Sequence, residues 1–227
     1  MSLFEACKQG DLEAVKRWVL SGADITFEFN RPIRLACYNG HLEVVQWIWS
    51  LKSDDVAVEI IDDDNLAIRL ACENGHLEVA KWIWSLKSDE LRVDITTEDN
   101  LAIRWACMNG HLKVAKWIWS LKSDTMLVDI SAENNYAIRW ACKHGHLEVA
   151  QWIWSLRSDD VLVDITADNN WAIRYACTRH HLDVISWMLP LLPEEAIMAE
   201  LAKEHPEQVL DLVRMYIKCK RAKGACR

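Results

Sequence analysis

Residues 66–100 read LAIRLACENGHLEVAKWIWSLKSDELRVDITTEDN, and a shift of 35 positions along the chain nearly reproduces this segment. The dipeptide Gly-His marks the period and occurs at Gly40-His41, Gly75-His76, Gly110-His111 and Gly145-His146. Two imperfect copies extend the series at Gly10-Asp11 and His180-His181. Self-similarity at a period of 20–50 residues is typical of solenoids, in which each unit stacks on its neighbours. The chain is therefore predicted to be a solenoid of about six repeats.

Each unit is predicted to contain two short helices. Asn65 directly precedes the first helix, Leu66–Cys72, and its side chain is expected to accept a hydrogen bond from the first helical turn. Gly75 ends that helix, because glycine readily adopts the left-handed conformation. The second helix, Leu77–Leu86, has apolar residues on more than one face, and its repeated tryptophans are expected in the core. Both helices are too short to be stable alone, so the all-α fold depends on stacking.

The two ends of the chain depart from the repeat. Residues 1–30 are five residues shorter between the second helix and the next turn, and Asp11 stands where later units have histidine. Because a terminal repeat needs a polar outer face, this segment is predicted to be an N-terminal capping repeat. Residues 31–190 form five repeats of period 35, and prolines at 190 and 193 end the last repeat helix. Residues 191–227 are predicted to be a helical cap, with helices at 194–204 and 206–218, followed by a basic tail.

The composition excludes several classes of protein. The net charge of −8 and a pI near 5.5 disfavour nucleic-acid binding, which needs a basic face. No apolar stretch reaches 18 residues, and no signal peptide precedes the first repeat, so no membrane association is expected. The chain is predicted to be an intracellular monomer in the cytoplasm. The basic cluster at 218–223 leaves the nucleus as an alternative.

Cysteine and histidine recur once per repeat, which favours a structural role for both. Six of the eight cysteines follow an alanine in successive units, and stacked helices lie too far apart for equivalent cysteines to form disulfides. One histidine per repeat cannot converge on a single ion, so no metal site and no cofactor are predicted. Catalysis needs one singular constellation rather than six equal copies. We therefore expect no catalytic residue and no enzyme activity.

The segment Leu66–His76, LAIRLACENGH, resembles the ankyrin repeat, whose pattern T-P-L-H-x-A-A-x-x-G-H it follows at Ala71 and at Gly-His. Thr-Pro is replaced by Leu-Ala, histidine by Arg69 and the second alanine by Cys72. The resemblance covers residues 1 to about 190, and the W-I-W-S variant resembles ankyrin repeats of amoebae and their large DNA viruses. It implies an ankyrin-type helix-turn-helix solenoid with terminal caps, which binds another protein through its concave face.

Residues that stacking does not fix are the candidate partner-binding residues, and in ankyrin proteins the matching positions line the concave face. The candidates in the turns are Asp62, Asp63, Asn65, Thr97, Glu98, Asn100, Glu133, Asn135, Asp168 and Asn170. The candidates at the end of the first helices are Tyr38, Glu73, Met108, Lys143, His144, Thr178 and Arg179. The acidic turns predict a partner with a basic patch. The alternative for the whole set is a solvated surface that drifts from repeat to repeat.

Two other functions stay open at the level of sequence. The run Leu192-Pro193-Glu194-Glu195 followed by an apolar helix faintly resembles the start of an F-box. That resemblance would make the chain an adaptor that recruits a second protein through its C-terminal helices. The regularity of the central units is also compatible with a structural or designed repeat protein that has no partner.

Overall fold

The computed structural model describes residues 1–61, 64–88, 91–201 and 207–224. These residues form 14 α-helices and no strand. The helices are α1 Leu3–Gln9, α2 Leu12–Leu20, α3 Phe27–Asn39, α4 Leu42–Ser50, α5 Leu66–Glu73, α6 Leu77–Ser85, α7 Thr97–Met108, α8 Leu112–Ser120, α9 Ala132–Lys143, α10 Leu147–Ser155, α11 Ala167–Thr178, α12 Leu182–Met188, α13 Glu194–Leu201 and α14 Glu207–Gly224. The predicted all-α class and its helix-turn-helix units are confirmed.

The described chain divides into two compact units. Unit 1 comprises residues 1–106 and 111–129, and unit 2 comprises residues 107–110 and 130–224. In unit 1 the first helices pack side by side, α1 against α3 and α3 against α5, while α4 and α6 pack against their own first helices. In unit 2, α9 packs against α11 and α10 packs against α9. The same packing pattern therefore recurs in both units.

Small and β-branched side chains form the core. In α5 and α6 the buried side chains include Ala71, Cys72, Val79 and Ile83, and equivalent residues are buried in the other repeats. Alanine and cysteine are small enough to let neighbouring helices approach closely. The repeated tryptophans are only half-buried, so their expected place in the core was wrong. Their rings instead pack along the edge of this narrow core, where Lys87 lies 4.7 Å from the centre of the Trp84 ring.

The five residues that the later units add form a tight turn followed by an inward-pointing valine. In the connection after α4, Ser53 and Val56 exchange two backbone hydrogen bonds of 3.2 Å. Val58 and Ile60 then bury their side chains, as do the matching pairs in the three later connections. Burying an additional valine stabilises the fold by about 1.5–3 kcal/mol. The extension therefore enlarges the apolar core of each repeat.

The C-terminal segment folds back on the last repeat. α12 ends at Met188, as the prolines at 190 and 193 predicted, and a short 3₁₀ turn at Leu189–Leu191 leads to α13 and α14. These two helices begin within a residue of their predicted starts. α13 packs against α11, and α14 packs against α12. Ile197, Val209 and Val213 are buried in this packing.

Candidate functional site

A left-handed turn occupies the N-terminal part of α3, α7, α9 and α11, before the regular part of each helix begins. Glu98, Asp99 and Asn100 have φ values of 54°, 53° and 63°. The same conformation occurs at residues 28–30, 133–135 and 168–170. Asparagine and aspartate tolerate this region better than other residues with a Cβ. The backbone therefore accounts for part of the Asp/Asn-rich composition from which the binding turns were predicted.

An arginine from the first helix closes this turn. The guanidinium of Arg104 donates a 2.8 Å hydrogen bond to the carbonyl oxygen of Glu98. Arg139 makes the matching bond of 3.2 Å to Glu133 and a second bond of 2.7 Å to the carboxylate of Asp168. Arg139 is only 9% exposed, so its charge is held inside the repeat by these acceptors. This arginine stands where the ankyrin pattern has histidine, and its bond to the turn was not predicted from the sequence.

The asparagines that end four of the turns, at positions 30, 65, 100 and 135, accept a hydrogen bond from a backbone N–H 29 residues further along the chain. The side-chain oxygen of Asn65 accepts a 3.0 Å hydrogen bond from the backbone N–H of Asp94, and Asn135 accepts one of 2.9 Å from Asp164. Asn65 makes no side-chain bond to the first turn of α5, so the predicted capping was wrong. The left-handed backbone, with φ of 51° at Asn65, is the physical reason, because capping residues normally have an extended backbone. Asn65 is 4% exposed and offers a partner little surface.

The histidines of the Gly-His pairs link consecutive repeats, which is a structural role of the kind that their recurrence in the sequence favoured. The Nε2 atom of His76 lies 2.9 Å from the carbonyl oxygen of Tyr38 in the preceding repeat, and His41 bonds to Lys8 at 2.8 Å. Desolvation by burial lowers the pKa of His76, and its bond to Tyr38 offsets part of this shift. In the first repeat the carboxylate of Asp11 instead caps α2 through a 2.9 Å bond from the N–H of Ala14.

The other predicted site residues divide into turn residues and helix-end residues. Glu98, Glu133 and Asp168 are exposed in the turns. At the ends of the first helices, Tyr38, Thr178 and Arg179 are exposed, whereas Glu73, Met108, Lys143 and His144 are half-buried. Of the remaining turn candidates, Thr97, Asn100 and Asn170 are half-buried and Asn135 is buried, while Asp62 and Asp63 lie outside the described residues.

Four aromatic rings lie together in unit 2; from the sequence, Trp140 and Tyr175 were interpreted as semi-buried packing positions and the group was not recognised. This aromatic cluster consists of Tyr136 and Trp140 on α9 and Trp171 and Tyr175 on α11. Trp140 stacks on Tyr136 with ring centres 5.0 Å apart and contacts Trp171 at 5.2 Å. The centres of Trp171 and Tyr175 are 4.2 Å apart. All four rings are half-buried, so the cluster is part of the surface.

The reactive side chains that recur along the chain are held in structural roles. The six repeat cysteines are free and buried, as predicted, and burial raises the pKa of the Cys7 thiol to about 12. A protonated, inaccessible thiol is a poor nucleophile. Among the described residues no group of three or more His, Cys, Asp or Glu is arranged to hold a metal ion.

A groove of about 710 Å³ in unit 2 runs beside the connection between α10 and α11. It contains a hydroxyl–carboxylate contact of 2.6 Å between Thr166 and Asp164. The same contact recurs between Thr96 and Asp94 at 2.7 Å, and the N–H of each threonine bonds to the same carboxylate oxygen. A contact that repeats in this way is a turn motif, so it gives the groove no singular reactive pair.

The geometry defines a helical repeat protein whose buried positions recur and whose helix-end positions vary. The family model for three consecutive ankyrin repeats matches residues 3–99 and again residues 103–197. The chain therefore belongs to the ankyrin-repeat family, and its fold is an all-α ankyrin-type helix-turn-helix solenoid. Ankyrin repeats are in general protein–protein interaction modules and are typically non-enzymatic scaffolds.

No curated protein matches the chain. No helix in the described ranges combines the length and the apolar character that crossing a bilayer requires.

Proposed function

We propose that the chain is a non-enzymatic scaffold that binds one protein partner through a strip made of the left-handed turns and the ends of the first helices. The observation that carries this proposal is the contrast between two kinds of position. Ala71 and Cys72 recur in every repeat and are buried, whereas the next position changes from Tyr38 to Glu73, Met108, Lys143 and Thr178. Packing constrains the first kind and leaves the second kind available for recognition.

Each turn is preorganised, which favours binding. The arginine and asparagine bonds hold each turn in place before a partner arrives, so little ordering cost is paid on association. Glu98 and Glu133 are exposed and project from these turns. We propose that they meet a basic patch on the partner and increase its rate of encounter.

The test removes the negative charge of two turn residues and keeps the backbone conformation of the turns. In the double variant Glu98→Asn and Glu133→Asn, asparagine suits the left-handed turn, so the melting temperature should stay within about 2 °C of wild type. A partner captured from lysate by the purified wild-type chain and identified by mass spectrometry should be captured about fivefold less by this variant. The control variant Glu43→Gln and Glu148→Gln removes two exposed charges from second helices and should capture as wild type does. Equal capture by all three proteins would refute the electrostatic role of the turns.

We also propose that α13 and α14 cap the last repeat, in preference to the adaptor function suggested by the F-box-like run. Val213 is 4% exposed and Met215 is 59% exposed on the same helix. Val213→Ser should lower the free energy of unfolding of the last repeat by about 2 kcal/mol, while Met215→Ser should change it by less than about 0.5 kcal/mol. Urea unfolding followed by circular dichroism measures both. An adaptor surface predicts the opposite pattern, in which Met215→Ser removes recruitment of a second protein and Val213→Ser leaves stability unchanged.

A further inference from the structure

The aromatic cluster in unit 2 is not required by the repeat. Its four positions are the first and fifth residues of the helical segments that begin at Tyr136 and Trp171. In an earlier repeat the same two positions are Leu66 and Leu70, which are also half-buried. Leucine therefore satisfies the packing at these positions, so packing alone does not require aromatic rings in unit 2.

Positive charges surround this cluster. The Nζ atom of Lys143 lies 3.6 Å from the centre of the Trp140 ring and 5.2 Å from the centres of both Trp171 and Tyr175. Desolvation lowers the pKa of Lys143, and the nearby positive charge of Arg179 lowers it further. Desolvation also lowers the pKa of His144, and repulsion from Lys143 and Arg179 lowers it further. The cations therefore repel one another in the unbound protein.

These cations lack the carboxylate partner that the neighbouring arginine has. Asp168 is 2.7 Å from Arg139 and is already bound to it. Within the described ranges, neither Lys143 nor Arg179 forms an ion pair. A carboxylate brought by a ligand would relieve the repulsion and would form charge-assisted hydrogen bonds. Trp, Tyr and Arg are also the residues that most often dominate binding energy at protein interfaces.

Resting on the proposed function, we propose that Trp140, Lys143, Trp171, Tyr175 and Arg179 bind an acidic segment of the partner protein. Its carboxylates pair with Lys143 and Arg179, while an apolar side chain between them packs on the edges of the rings. The partner then meets the acidic turns with basic groups and this cluster with acidic ones. Such a two-sign pattern fixes the register of the complex.

The ring geometry favours a protein segment over a nucleic acid. Single-stranded nucleic acids bind by stacking bases on open aromatic faces. Here Tyr136 and Trp140 cover each other at an interplanar angle of 19°, and Lys143 lies over Trp140. The net charge of −8 also repels a long polyanion, whereas a short acidic segment meets only the local cations.

The test uses the full chain and the fluorescein-labelled peptide Glu-Glu-Phe-Glu-Glu, with Gln-Gln-Phe-Gln-Gln and a ten-residue oligothymidylate as comparison probes. Fluorescence anisotropy should show that the acidic peptide binds to the wild type. The double variant Lys143→Gln and Arg179→Gln should weaken its affinity about fivefold or more. The matched control Lys113→Gln and Lys116→Gln, which removes two exposed charges from α8, should leave the affinity unchanged. Trp140→Leu introduces the residue type that stands at the equivalent position 70 of an earlier repeat. This variant should therefore fold, and it should also bind the acidic peptide more weakly.

Three results would overturn the inference: no binding of the acidic peptide, equal binding by the two double variants, or equal affinity for oligothymidylate. Capture of the partner from lysate separates this failure from failure of the proposed function. If Lys143→Gln with Arg179→Gln leaves capture intact while Glu98→Asn with Glu133→Asn reduces it, the scaffold function stands and the acidic-segment site falls. Loss of capture in both variants supports the two-sign interface.

Discussion

At the scale of single residues, the glycine of each Gly-His pair is confined both by its own backbone and by its neighbour. Gly75 has a φ of +80°, and a Cβ added there would lie 2.5 Å from Nδ1 of His111. His111 is the histidine of the next repeat, and its ring donates a hydrogen bond to the backbone carbonyl oxygen of Glu73. Any side chain at Gly75 therefore both strains the turn and displaces this link between repeats.

Gly75→Ala should lower the free energy of unfolding by about 2–4 kcal/mol, through backbone strain of about 1–2 kcal/mol together with the clash at His111. Gly22→Ala is the matched control. Gly22 has a φ of +88° and open space around the added Cβ. Gly22→Ala should therefore lower the free energy of unfolding by the backbone strain alone, about 1–2 kcal/mol. Urea unfolding of the two variants separates the components, and equal losses would contradict the proposed contact.

The linking histidines also predict a pH dependence. Desolvation lowers the pKa of His76 and of His111 below the usual value near 6.5. As the pH falls below about 6.5, the unfolded chain takes up protons before the folded chain does, so stability is lost between that value and the lower folded pKa. The melting temperature should therefore fall between pH 7.5 and pH 5.5. In the double variant His76→Gln and His111→Gln, which keeps a side-chain donor for the carbonyl oxygens, the fall should be smaller, and an unchanged slope would exclude these two groups.

At the scale of the element, the left-handed turn explains why its residues are polar. Three consecutive residues with positive φ cost roughly 1–2 kcal/mol each when they are neither glycine nor asparagine-like. Phe29 occupies the middle position of the turn in the first repeat with φ of 58° and is 89% exposed. In the first turn of unit 2 the middle position is Asn134, with φ of 55°. The first repeat therefore carries a strained residue that makes few contacts.

Reciprocal substitutions test this account of the turn. Phe29→Asn should raise the free energy of unfolding by about 0.5–1 kcal/mol, because asparagine tolerates positive φ and the exposed ring gives up little packing. Asn134→Phe should lower it by a similar amount. Thermal melts followed by circular dichroism would record opposite shifts, whereas shifts of the same sign would rule out a left-handed backbone at these positions.

Elements were predicted well where the signal was local and repeated, and poorly where it depended on what a side chain reaches. The period and the Gly-His turns located the helix pairs, because apolar spacing and a helix-ending glycine act within one repeat. The capping role of Asn65 was wrong because the left-handed backbone turns its amide toward a residue 29 positions ahead. The tryptophans were wrongly placed in the core, since alanine and cysteine hold the helices too close together for indole rings.

At the scale of the whole molecule, the candidate surface was predicted only in part. Variation between repeats indicated positions such as Tyr38 and Thr178, which are exposed, and their role in binding stays a prediction. An alignment of the repeats contains a signal for the aromatic cluster, because Tyr136 and Trp140 stand where an earlier repeat has two leucines. From the sequence alone these rings are interpreted as packing residues. Their place beside Lys143 depends on contacts within and between first helices, which only the structure gives.

The buried cysteines offer a probe of stability along the whole chain. Cys7, Cys37 and Cys72 stand at equivalent positions of successive repeats, and each thiol is buried with its pKa raised by desolvation. A thiol reacts only as an accessible thiolate, so each cysteine should stay unlabelled by N-ethylmaleimide in native buffer and react when its repeat opens. In a solenoid the terminal repeat has one stacking neighbour and opens first.

Native-state labelling in increasing urea, read by peptide mass spectrometry, should therefore modify Cys7 at a lower urea concentration than Cys37, and Cys37 no later than Cys72. The variant Ser21→Cys places a thiol at an exposed position and sets the rate for a freely accessible cysteine. Simultaneous labelling of all three buried cysteines would mean that these repeats unfold as one cooperative block. Labelling of Cys72 in native buffer at the rate of Ser21→Cys would contradict the packing of the repeat core itself.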